Sequence, residues 1–107
     1  MGPVDEYIRL AGAWGVALES GDSDTANLLH DRIQKIFQDI SQTQQANALF
    51  DRADATSDAA CFFIASHLKE SDRSRAIRLY QRLTHSSLPF VGLSAKHALK
   101  EMTAFGS

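Results

Sequence analysis

Arg75, Arg78 and Arg82 stand at i, i+3 and i+7, so on a helix they form one basic line, with Gln81 and His85 nearby. Arginine carries a planar fork of donors that fits carboxylates and phosphates two bonds at a time. Such a line can anchor an acidic partner, and it can equally be the solvated outer face of a helix. Acids gather at Asp51, Asp54 and Asp58, just ahead of the most apolar run, with Asp22, Asp24 and Asp31 farther back. They suit a cationic partner surface. For Asp22, Asp24 and Asp58, helix capping and the helix dipole already explain an acid. The expected partner-contacting residues are therefore Arg75, Arg78, Arg82, Asp51 and Asp54.

Residues suited to metal or covalent chemistry are sparse. His30, His67, His85, His97 and the single Cys61 include no pair at the i, i+4 spacing that sets two ligands on one helical face. Cys61 and His67 are six residues apart and face different ways on a helix. Cys61 reads as a small core residue. No serine sits in a glycine-flanked elbow, and there is no phosphate-binding loop. No metal, cofactor or catalytic role is expected. The net charge of −2 argues against nucleic acid.

The charge is unevenly spread. Residues 1–60 hold ten acids and four bases, a net −6, whereas residues 61–107 hold three acids and seven bases, a net +4. That polarity can steer a charged partner. At 107 residues the chain has room for one core and not for two, so 1–107 is expected to be a single domain. One cysteine rules out an internal disulfide framework and suits a reducing, cytoplasmic setting. No apolar run is long enough to span a membrane, and no basic region with an apolar core behind it suggests a signal peptide.

The spacing of apolar residues says what positions these side chains. Val4, Ile8, Ala11, Gly15 and Leu18 mark a first helix, opened by Pro3 and stopped by Gly21. Gly12 and Gly15 inside it suggest another backbone passing close by, beside Trp14. Leu29, Ile33, Ile36 and Ile40, widened by Leu28 and Phe37, mark a second helix capped within Asp22–Asp24 and running to about Ser41. Ala46, Leu49, Phe50 and Ala53 suggest a shorter third. From Ser57 to Leu68 small and large apolar residues alternate, and the apolar arc is so wide that this fourth helix should be central. A fifth starts at Ser71-Asp72 and buries Ala76, Ile77, Tyr80 and Leu83, with Leu79 alongside. A sixth opens at Pro89, after the cap candidates Ser86 and Ser87, and buries Val91, Ala95, Ala98 and Met102. No segment has the two-residue alternation of a strand. The predicted fold is all-α, about six helices in antiparallel pairs.

Two stretches carry a resemblance. Gly15-Val16-Ala17-Leu18-Glu19-Ser20-Gly21-Asp22, with Ala26-Asn27 and Asp31-Arg32, resembles the opening helical pair of a family of small bacterial HEAT-like α-helical domains of unknown function. So do Ser57–Leu68, Arg75-Ala76 and Gly92–Leu99. Where that family usually has an arginine in its central helix, this chain has Ala60-Cys61. The resemblance implies a compact HEAT-like domain, and some relatives look like immunity proteins that neutralise polymorphic toxins. The expected function is thus a cytoplasmic, non-catalytic immunity protein that occludes a secreted bacterial toxin. The alternative is a general scaffold or regulatory adaptor, which allows a homodimer.

Overall fold

Apolar spacing translates into helix along nearly the whole chain. A computed structural model describes residues 2–104 and contains α1 (Pro3–Glu19), α2 (Ser23–Gln42), α3 (Ala46–Phe50), α4 (Asp58–Leu68), α5 (Arg73–Leu83) and α6 (Pro89–Ala104). A three-residue 3-10 turn, Ala53–Ala55, lies between α3 and α4. No strand occurs among the described residues. The all-α prediction therefore holds, and the whole is one globule with a radius of gyration of 13.2 Å.

The helix ends follow local chemistry. Asp22, Ser57 and Asp72 each accept a hydrogen bond from a first-turn amide, that of Thr25, Ala60 and Arg75 respectively. Gly21 takes φ of +79°, and the amides of Gly21 and Asp22 close back onto the carbonyls of Leu18 and Ala17. These bonds satisfy the exposed end of α1 and turn the chain into α2. The cap of α6 comes from a distance instead. The Glu19 carboxylate accepts from the amides of Phe90 at 3.0 Å and Val91 at 3.3 Å, placing negative charge at the helix N-terminus. Of the two serines expected there, Ser86 instead donates to Asp58 at 2.6 Å and accepts from the Leu88 amide.

α4 is the centre, as its composition predicts. It packs against α1, α3, α5, α6 and the 3-10 turn, and Ala60, Cys61, Ile64 and Ala65 are fully buried. Its alanines let neighbouring helices come close, while Phe62 and Phe63 stack flat and edge-on against Trp14 of α1. Three details differ from the sequence reading. α3 is a single short turn bridging α2 and α4, because beyond Phe50 the backbone tightens to three-residue steps, the Arg52 amide bonding the Leu49 carbonyl and the Ala55 amide the Arg52 carbonyl. Leu28, expected to widen the buried arc of α2, is 57% exposed. Ile77 is only partly covered, and Leu79 takes its place in the buried line of α5.

Gly15 explains how α1 and α4 approach. A Cβ built there would lie 2.4 Å from the Ala59 Cβ, well inside contact distance. Gly12 meets only the Ser57 hydroxyl at 4.0 Å, so close passage accounts for one of the two glycines. Gly15→Ala is expected to lose about 1–3 kcal/mol through overpacking, despite alanine's better helix propensity. Gly12→Ala, with open space, should gain up to about 1 kcal/mol. Chemical denaturation of the two variants side by side measures the contrast.

Candidate functional site

Residues 46–55 form an irregular connection whose backbone carbonyls need partners, because a helix of five residues leaves most of its C-terminal oxygens unsatisfied. α5 supplies them. Arg75 donates to the Phe50 carbonyl at 2.7 Å, with its guanidinium 4.0 Å from the Asp51 carboxylate. Arg82 donates to Asp54 at 2.8 Å, to the Ala53 carbonyl at 3.4 Å and to the Cys61 sulfur at 3.1 Å. Four of the five residues expected to contact a partner are thus brought together. They meet each other as one seam of alternating charge, where the sequence had suggested an acidic side and a basic side. The fifth, Arg78, is exposed on α5 and forms no ion pair among the described residues.

Each ion pair in the seam is solvated, and exposed pairs contribute only about 0–1 kcal/mol. The carbonyl contacts matter more, since they join the connection to α5 at two points. Arg82 has a third role. It brings a cation to Cys61, in the central helix where the chain lacks an arginine of its own. Burial nevertheless pushes the Cys61 thiol up, the guanidinium opposing that shift in part. A thiol kept protonated inside a core is a packing group and a poor nucleophile.

The histidines are dispersed. His97 Nε2 lies 3.2 Å from the Glu101 carboxylate on α6, and His85 is exposed just past the end of α5. Among the described residues no three His, Cys, Asp or Glu side chains come together as a metal ion would require. His67 is the unusual one. The Tyr7 hydroxyl lies 2.7 Å from its Nδ1, and Gln34 Oε1 lies 2.9 Å from its Nε2. An amide oxygen only accepts, so Nε2 carries the proton and Nδ1 accepts from Tyr7. Gln34 continues toward His30 Nε2 at 3.5 Å, and Phe37 stacks flat on the His67 ring at 3.8 Å. Burial, then the nearby His30 and Lys69, pushes His67 down to about 4. Both ring nitrogens are already engaged, so the ring is a fixed neutral strut between α1, α2 and α4.

Sequence reasoning missed this strut, as it missed Glu19 capping α6. The one available signal was a polar ring placed one turn after Phe63, in an otherwise apolar helix. No known protein family, curated protein or solved structure matches the chain. No helix among the described residues is long and apolar enough to cross a membrane.

Proposed function

We propose that the chain is a non-catalytic protein-binding domain of HEAT-like type, and specifically an immunity protein that occludes a bacterial toxin in the cytoplasm. The observation that carries this reading is the seam on α5. Arg78 stands in solvent, flanked by Arg75 and Arg82, whose guanidinium groups are held by Asp51, Asp54 and backbone carbonyls. Flanking groups that are fixed before binding lose little freedom when a partner arrives. An acidic side chain of the partner would meet Arg78 directly, and basic ones would meet the outer oxygens of Asp51 and Asp54, which are 79% and 70% exposed. Alternating charge of this kind serves specificity and association rate more than raw affinity.

Expression with the product of the adjacent reading frame tests the proposal. A stable complex on gel filtration is expected, and Arg78→Glu should weaken it about tenfold or more with an unchanged thermal melt. Arg82→Glu is the informative contrast. It would put a carboxylate beside Asp54 and the Ala53 carbonyl, so it should lower stability as well as binding. Absence of any complex with that product would overturn the toxin reading.

One observation favours the scaffold alternative with self-association. Val16 is 72% and Phe90 47% exposed, and Val16 borders a shallow cleft with Gly12, Gly15 and Leu88. Exposed apolar groups at a cleft suit a second copy, and a dimer that survives Arg78→Glu would support this reading.

A further inference from the structure

His67 stands where two environments meet. On one side the Tyr7 hydroxyl of α1 holds the ring at 2.7 Å and Gln34 of α2 at 2.9 Å. On the other side the ring lines an open cleft of about 520 Å³, together with Phe37 of α2, Asn47 and Phe50 of α3, and Glu70. The ring is half-buried, so part of it already reaches this cleft. Glu70 lies three residues beyond His67, in the turn that follows α4, and is exposed. It is the one carboxylate among the residues lining the cleft. No described cation pairs with it.

The inner position suits only a neutral ring. Nδ1 accepts from Tyr7 while Nε2 donates to Gln34. A second ring proton would leave the fully buried Tyr7 hydroxyl without an acceptor. The other neighbours disfavour a cation as well. Burial acts most strongly, followed by His30 on α2 and Lys69 at the end of α4, and together they hold the ring down to about 4. α1 faces the ring with the Tyr7 hydroxyl alone, and α3 with the uncharged Asn47 and Phe50. The cleft offers the opposite setting, with space, access to water and a free carboxylate. One side chain thus has two positions that differ in the charge they accept, the basis of a protonation switch.

We propose that His67 is an acid-operated latch: on gaining a proton the ring leaves Tyr7 and Gln34, turns into the cleft and pairs with Glu70. Its departure uncovers the face of Phe37 on which it stacks. Phe37 in turn packs on Phe50 at 6.4 Å, and the Phe50 carbonyl is one of those the seam arginines hold. Acid therefore loosens the 46–55 connection while the rest of the core stays packed. A proton alone operates the latch, so it is independent of the toxin reading and its test needs no partner. Heteronuclear NMR of the purified chain between pH 7.5 and 3.5 provides that test. The His67 ring should titrate with a midpoint near 4. The amides of Tyr7, Phe37 and Phe50 should move with the same midpoint, while those of Val91 and Ala95 in α6 stay native. His67→Gln should remove that inflection from Phe37 and Phe50. Tyr7→Phe takes away the hydroxyl that holds the neutral ring, and should raise the midpoint by about 0.5–1, a factor of about three to ten. Glu70→Gln takes away the receiving carboxylate, and should lower it by roughly 0.4, a factor of about 2.5. Glu70 is exposed, so its variant keeps the test decisive even if Tyr7→Phe disturbs the core. A midpoint indifferent to Glu70→Gln, or a Phe50 inflection that survives His67→Gln, would overturn the latch. So would the loss of every native amide at one midpoint, since acid would then act on the fold as a whole.

Discussion

Cutting Ile64 back to alanine lowers the stability of the fold by about 2–5 kcal/mol, a fall in Tm of roughly 10–20 °C. Ile64 is fully buried at the middle of α4, with Ala60 and Ala65 beside it on the same helix. The cost of such a truncation depends on how far the surroundings can collapse into the space left behind. Alanines have no side chain to swing in, and α1 and α5 are held close by their own contacts with α4. The loss should therefore lie toward the upper part of that range. Thermal and denaturant melts of Ile64→Ala, with Ile64→Val as a graded control near 1 kcal/mol, measure it. An unchanged melt would remove α4 from the centre of the packing.

Lowering the pH from about 6.5 to about 4 should cost the fold up to roughly 3 kcal/mol through His67 alone. The ring is held below its ordinary value of 6.5, to about 4. Between those values the unfolded chain takes up a proton that the folded chain refuses. The stabilisation is complete above 6.5, falls as the pH drops through the window, and is gone below about 4. Protonation would set a second N–H against the Tyr7 hydroxyl, which is itself shut inside the core and has no other described acceptor. Asp5, Glu6 and Asp22 are also held below their ordinary values, by Arg52, Arg9 and the Thr25 cap. They act in the same direction but only from about 4.5 downward, so the window above that belongs to His67. His67→Gln should flatten the pH dependence of stability between 4 and 6.5, and an unflattened curve would assign that slope to other groups.

The legible parts of this protein were those in which a residue acts on its own neighbourhood. Caps at Asp22, Ser57 and Asp72 bond to an amide three residues on, so type and position together announce them. The central place of α4 was legible because an apolar arc that wide cannot be left in water. Gly15 signalled close passage for the same kind of local reason. The illegible parts join residues far apart in the chain. Arg82 finds Asp54 across 28 residues, Glu19 finds the Phe90 amide across 71, and Tyr7 finds His67 across 60. Nothing in the spacing of charged residues says which will face each other once the helices pack. The arginine line was therefore identified correctly as a line, while its engagement with Asp51 and Asp54 was not. The exposure of Leu28 belongs to the same limit, since a helical wheel orders residues around a stripe without saying where the neighbouring helix stops.

The Glu19 carboxylate on the first amides of α6 has a consequence for how this architecture can grow. Helical solenoids lengthen by copy number, each unit offering a fresh face to the next and the two outermost units serving as polar lids. Here the end of the first long helix is clasped to the beginning of the last one, and α1 touches α6 as well as α2 and α4. That clasp closes the helical layer on itself. A duplicated helical pair inserted at this junction would have to break it and uncover the α6 N-terminus. The contact between α1 and α6 thus joins the two ends of the described helical series around α4.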